Sequence, residues 1–258
     1  MSTNKILGID IGGSGIKGAI VDVTTGELLS ERKRIPTPQP ATPDAVAETV
    51  AELTKSFDWK NGPIGCGFPA VVKKGMVYTA SNIDKSWIGT NAKTIFQKAT
   101  GCDVFIANDA DVAGLAEMEH GIGKDVKGTV IMITIGTGLG SAFFFNGLLI
   151  PNSELGHLEM EGMVAEKYAA GSIRKKENLS DEEWGFRLNK YLLNIERFFS
   201  PDMIILGGGG SKHFEKLEDK FDIEADIGPA KFRNHAGIIG AAMYAATEIS
   251  AKAKAKAV

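Results

Sequence analysis

Two segments, KILGIDIGGSGIKGAIVDV from Lys5 and GTVIMITIGTGLGSAFFFNGLLI from Gly128, share one plan: an apolar strand, a tip rich in glycine, and a strand that returns. A plan that recurs about half a chain apart indicates two similar α/β halves related by duplication, with coincidence between two common hairpins as the alternative. The first tip also carries Gly13, Gly15 and Gly18 at the GxGxxG spacing of dinucleotide-binding folds. Those folds need a helix directly after the glycines, whereas KGAIVDV is a β-branched run of period two. The tip therefore reads as a hairpin, followed by a third strand across TTGELLSERKRI.

The remaining pattern alternates helices and strands. TPDAVAETVAELTKSF places Thr42 at the N-cap and Pro43 at the first helical position. PIGCGFPAVV reads as a strand, NIDKSWIG as a loop, NAKTIFQKATG as a helix closed by Gly101, and DVFIAND as a strand whose end starts the helix ADVAGLAEMEHG. PDMIILGGGGS is a strand ending in four glycines, and NHAGIIGAAMYAATEISAKAKA is a long helix of small residues. The GSIRKKENLS stretch reads as a solvated loop or as a set of cations for an anionic ligand.

Glycine tips turn several backbone N–H groups in one direction and admit phosphate oxygens that a Cβ would exclude. Gly12, Gly13, Ser14 and Gly15 at the first tip, Thr137 and Gly138 at the second, and Gly208 and Gly209 at the last strand end are candidate phosphate-donor contacts, with Lys17 behind the first tip and a hydroxyl from Ser141. For each tip alone, a tight turn is the other reading. Asp10, one strand residue before the first tip, is a candidate Mg²⁺ ligand; a buried strand carboxylate otherwise requires an internal partner. Asn108 and Asp109 stand at a strand C-terminus, where α/β sheets bind ligands and an aspartate can take a proton from an attacking hydroxyl. One of the pair also suits the cap of the following helix. Glu154 and His157, three apart around a glycine, and Glu166 beyond them are candidate contacts for a polyhydroxylated ligand or a metal; one histidine without cysteines is a poor zinc set.

With 43% apolar residues and a formal net charge of −3, neither sign dominates, so the chain offers no electrostatic reason for a nucleic-acid or membrane partner. Two cysteines, Cys66 and Cys102, read as buried thiols in a reducing cytosol. No run approaches the roughly 20 apolar residues of a membrane span, and a cytoplasmic protein is expected.

In order along the chain, DIGGSGIKGAIVD, FPAVV followed by NIDKSW, NDADVAGLAE, TIGTGLGSA, ELGHLE and ILGGGGS resemble the ROK family of sugar kinases. The short length and KFRNHAGIIGAA are most similar to its polyphosphate glucokinases, some of which also use ATP and accept mannose. The resemblance implies an actin/hexokinase-like (ribonuclease H-like) duplicated α/β fold, with two domains flanking a cleft. Residues 1–107 would form a small N-terminal domain and 108–235 a larger one, with a helix over about 236–258 packing back on the first. It implies a catalytic base at Asp109 and sugar contacts at Asn82, Asn108, Asp109, Glu154, His157 and Glu166. It further implies phosphoryl transfer from polyphosphate or ATP to the 6-hydroxyl of glucose or mannose with Mg²⁺, and a homodimer. Most members continue past the GH pair with a CxCGxxGCxE zinc cluster; LEMEGMVAEKYA has no cysteine, so zinc is not expected, while Glu166 falls where that cluster's closing glutamate would. Arg174, Lys175, Lys176, Lys212, Arg233 and His235 are the cations available to a polyphosphate chain. The rival is a sugar-sensing binding protein without catalysis; such relatives carry an N-terminal helix-turn-helix, for which the first strand, starting within about five residues of Met1, leaves no room.

Overall fold

The computed structural model describes residues 4–81 and 83–256, and the chain falls into two compact units, Met1–Ala116 with His235–Val258 and Glu117–Asn234. In the first unit β1 (Lys5–Gly12) and β2 (Gly15–Asp22) run antiparallel with Gly12 opposite Gly15, so Gly13 and Ser14 alone form the tip. The single third strand expected next is two short ones, β3 (Glu27–Leu28) and β4 (Lys33–Ile35), both paired to β2. The interruption has a cause: the Ser30 hydroxyl accepts the Ile20 N–H, taking a place that a strand carbonyl would fill. Helix α1 (Pro43–Ser56) starts with Pro43 in its first turn, though the Thr42 hydroxyl makes no capping bond.

Strand β5 (Ile64–Phe68) lies parallel to β1 and stops before Pro69, which has no N–H for the ladder. Residues expected to extend it instead form a separate hairpin, β6 (Val72–Lys73) with β7 (Met76–Val77), turned at Lys74 and Gly75 with φ of 52° and 83°. Helix α2 (Ala92–Thr100) is capped by the Asn91 side chain and closed by Gly101 at φ 71°. Strand β8 (Val104–Asn108) pairs parallel with β5 and runs directly into α3 (Asp109–His120), giving the sheet order β3-β2-β1-β5-β8 with β4 also on β2. Trp87, Phe68 and Phe96 pack edge-on beneath this sheet, and the Trp87 indole N–H is satisfied by the Ala41 carbonyl.

The second unit repeats that plan. β9 (Thr129–Ile135), β10 (Leu139–Phe145) and β11 (Leu148–Ile150) form an antiparallel meander. A small hairpin, β12 (Glu159–Met160) and β13 (Met163–Val164), leads to α4 (Ala165–Ala169), α5 (Gly171–Lys176) and α6 (Asp181–Phe199). The Arg-Lys-Lys run thus ends a short helix and is not a loop. After α6 come β14 (Met203–Gly207), α7 (Phe214–Leu217) and β15 (Asp226–Pro229), and the sheet order β11-β10-β9-β14-β15 matches the β3-β2-β1-β5-β8 path of the first sheet, which carries β4 in addition. Helix α6 was not anticipated; Ser180 and Glu183 form its capping box, and Trp184, Leu188, Tyr191, Leu192 and Ile195 bury its inner face.

The units divide inside α3 rather than at 107/108. Glu117 is fully buried and accepts the N–H groups of Ile122, Lys231 and Phe232, which ties the end of α3 to the second unit. The chain returns to the first unit in α8 (Ala236–Lys256), which packs on β1, β5 and β8. Two strand glycines make that approach possible: a Cβ on Gly8 would lie 2.0 Å from the Ile238 carbonyl oxygen, and one on Gly65 would lie 1.8 Å from that of Ala241. Among the described residues no helix is long and apolar enough to cross a membrane.

Candidate active site

In the first unit, β8 ends on Asn108, whose buried side chain is hydrogen-bonded to its surroundings. Its Oδ1 accepts the N–H groups of Ala110 and Asp111, and its Nδ2 donates to the Ala70 carbonyl. Asn108 is therefore the cap of α3, and its proposed sugar contact is limited to what that role leaves. Asp109 follows it, half-buried, with Oδ1 accepting the Ala110 N–H at 2.8 Å. Asn82 lies outside the described residues.

At the same edge of that sheet, two strands from β8, Asp10 and Lys17 face each other across β1 and β2, with Asp10 Oδ2 and Lys17 Nζ 3.2 Å apart. That pair supplies the internal partner a poorly exposed strand carboxylate requires, and it turns Lys17 toward Asp10. Gly237 in the first turn of α8 comes close, since a Cβ there would lie 3.0 Å from Asp10 Cγ. Sequence reasoning passed over Arg34 on β4, which donates to the Ser14 carbonyl at 2.6 Å and covers the first tip. The signal was there in SERKRI, but it needed the register of β4 on β2 to be read.

In the second unit, Glu154 and His157 converge as expected, joined by a 3.1 Å contact from Glu154 Oε2 to His157 Nδ1 across a single 3₁₀ turn at Leu155–His157. Burial lifts the Glu154 carboxyl above the ordinary glutamate value, against the opposing pull of His157, and the like charge of Glu166 adds to the rise. Glu166, on α4, accepts the Leu139 N–H at 3.1 Å, which anchors it at the foot of the second glycine tip. Ser141 is not a donor contact. It is 1% exposed; its hydroxyl donates to the Ser153 carbonyl and accepts the Leu155 N–H, so it carries the Glu154 turn. The turn also depends on Gly156, where a Cβ would lie 2.1 Å from the Leu139 carbonyl oxygen.

Beside the second tip lies a cavity of about 950 Å³ whose wall includes Gly136, Thr137, Gly209, Arg174, Lys175 and Lys212. Its glycines differ in origin. Gly208 has φ 70° and a Cβ there would strike the Ile135 backbone, so the fold itself demands glycine. Gly136 and Gly209 have nothing within 4 Å of an added Cβ and neither is in the left-handed region. The Gly136 N–H is turned to the Gly138 carbonyl, so that amide does not face an anion. The Arg174 guanidinium stacks 4.8 Å over Trp184 and bonds both Asp181 and His213 Nε2. Burial and the neighbouring Arg174 charge hold His213 below the ordinary histidine value. Lys176, Arg233 and His235 do not line this cavity; His235 belongs to the first unit, near Arg32.

The model of the ROK family matches residues 6–177. The polyphosphate glucokinase of Mycobacterium tuberculosis (strain CDC 1551 / Oshkosh) is 50% identical over 237 residues, covering 92% of this chain and 89% of its own. The crystal structure of the inorganic polyphosphate/ATP-glucomannokinase from Arthrobacter sp. strain KM superposes with a TM-score of 0.91 at 46% identity, over 96% of this chain and 99% of that one. A ROK family glucokinase from Streptomyces griseus, solved with glucose and AMPPNP, shares the fold at a TM-score of 0.82 and 22% identity, over 94% of this chain and 99% of that one.

Proposed function

The chain belongs to the ROK family, and from that premise we propose that it is a sugar kinase transferring a phosphoryl group from inorganic polyphosphate or ATP to the 6-hydroxyl of glucose. The observation that carries the chemistry is the carboxylate placed at the end of β8. Asn108 accepts the Ala110 and Asp111 N–H groups, and the half-buried Asp109 carboxylate, whose Oδ1 shares the Ala110 N–H, stands beside it. Asp109 then acts as general base for the sugar hydroxyl. Glu154, His157 and Glu166 take sugar hydroxyls, with Asn108 and Asn82 as further contacts. Fixed acceptors of this kind suit a polyol, and the His157–Glu154 contact fixes the ring orientation. The glycine tips, with Gly12, Gly13, Ser14, Gly15 and Lys17 in one unit and Thr137, Gly138, Gly208 and Gly209 in the other, take the donor phosphates. The cavity beside the second tip holds the rest of the donor, a use supported by the unexplained openness at Gly136 and Gly209.

Magnesium is tested by its donor set. No cluster of three or more His, Cys, Asp or Glu suited to a metal occurs among the described residues, but Mg²⁺ is commonly held by one carboxylate with waters and substrate phosphates, and Asp10, with Lys17 Nζ 3.2 Å from its Oδ2, is the carboxylate beside the first tip that would serve. When bound there, the ion offsets charge on the donor phosphates. The matching strand order of the two sheets supports the duplicated actin/hexokinase-like fold, and the proposal extends to mannose as a second acceptor, a homodimer and a cytoplasmic location.

The test is sugar 6-phosphate formation with glucose and Mg²⁺, comparing nucleotide-free long-chain polyphosphate with ATP and repeating with mannose. Product with polyphosphate is expected. Product with ATP alone would make this an ATP glucokinase and remove polyphosphate from the reading, and no product with either donor would overturn it.

A further inference from the structure

Arg34 has no role in the account above, yet its surroundings are those of an anion site. The register of β4 on β2 sets Arg34 opposite Lys17, and the register of β2 on β1 sets Lys17 opposite Asp10. Opposed residues share a face of a sheet, so two cations and one carboxylate stand in a row beside the first tip. Asp10 is paired with Lys17. Arg34 has no carboxylate within ion-pair distance among the described residues, and its guanidinium donates to the Ser14 carbonyl. A carbonyl holds the guanidinium in place but does not neutralise it.

The guanidinium lies against the tip. Gly15 is buried although the two tip residues before it, Gly13 and Ser14, are exposed, and a Cβ there would come within 2.3 Å of Arg34 Nε. The glycine therefore makes room for the arginine. Beyond the end of β4 the Thr37 hydroxyl donates to the Gly12 carbonyl, on the other arm of the hairpin. A planar guanidinium offers five N–H donors in a fork that matches two phosphate oxygens, and here it sits on an exposed side chain beside a glycine turn, with Nη2 bonded to the Ser14 carbonyl.

Resting on the kinase reading above, we propose that Arg34 is a donor-binding residue whose guanidinium, held by Ser14 over the Gly12–Gly15 tip, takes a phosphate of the incoming polyphosphate or nucleoside triphosphate. Its alternative is a brace that merely stiffens the hairpin. The two differ in what they need: a brace needs an N–H for the Ser14 carbonyl, a phosphate ligand needs the charge. Arg34→Gln keeps an amide N–H and loses the charge, while Arg34→Lys keeps the charge and loses the fork.

The expected result is a donor KM raised about tenfold in Arg34→Gln and less in Arg34→Lys, with the glucose KM and the melting temperature unmoved. Calorimetric titration with tripolyphosphate in the absence of sugar should show the same loss of affinity. A donor KM and a tripolyphosphate affinity unchanged in Arg34→Gln would overturn the assignment, as would glucose and donor KM rising together with a lowered melting temperature. The titration reads the site even if no sugar phosphate forms, so failure of the kinase reading and failure of this one give different results.

Discussion

An aspartate at the first position of a helix meets that helix's N–H groups, and Asp109 Oδ1 shares the Ala110 N–H with the Asn108 amide, which also accepts from Asp111. Asp109→Asn removes the base and keeps the shape. A positioned general base is worth about 10²–10⁴ in rate, so turnover should fall by that order while glucose still binds by calorimetry; a variant retaining most of its turnover ends the base assignment. Glu154 makes a different, pH-dependent argument. Its folded carboxyl holds its proton to higher pH than an unfolded glutamate does, because burial outweighs the help of His157. The unfolded chain ionises first, near the ordinary value of 4.5, so wild-type stability drops from there until the folded group has also ionised, and then levels off. Glu154→Gln does not take part in that drop. Its stability advantage over wild type should be absent below pH 4.5, grow above it and reach a plateau, as read by denaturant midpoints across pH, while its glucose affinity falls. An advantage that is largest in acid would reverse the sign of the argument.

Glycines of two kinds separate the elements that build the site from the surface that uses it. Gly156 is required by the fold, since the Leu139 carbonyl it rests on is backbone and cannot yield. Gly156→Ala should cost about 1–3 kcal/mol by overpacking and displace the turn carrying Glu154 and His157, raising the glucose KM and lowering the melting temperature together. Gly136 has open space around it, so Gly136→Ala should leave the melting temperature within experimental error and raise the KM of the donor alone. Both glycines stood out in the sequence, but their difference depends on neighbours distant in the chain. The hairpin tips, the Glu154–His157 pair and the Asn108–Asp109 strand end were legible because each is a local pattern. Helix α6 was equally local: Ser180, Glu183 and apolar residues at Trp184, Leu188, Tyr191 and Ile195 spell a capped amphipathic helix, and the signal went unread beside the Arg-Lys-Lys run. Arg34 and Ser141 were illegible for a physical reason. What each touches is decided by strand register, Arg34 by the pairing of β4 with β2 and Ser141 by the return of the chain at Ser153.

For the whole molecule, the proposed sugar contacts belong by position to both units: Asn108 and Asp109 to the first, Glu154, His157 and Glu166 to the second. Each unit has its own buried core and its own sheet, so heat can unfold them in separate steps, and a single midpoint is not assured. A ligand that binds only the native state stabilises whatever must be folded to hold it, by about 2.7 kcal/mol at a hundred times its Kd. At this chain length that is a rise of roughly 5–10 °C. If the roles are divided as proposed, glucose must raise the transitions of both units, and two steps seen by calorimetry without sugar should move up together or merge into one. A rise confined to the step assigned to one unit, identified by measuring the Glu154→Gln and Asp109→Asn proteins in parallel, would place every sugar contact in that unit and return the other set to a structural role.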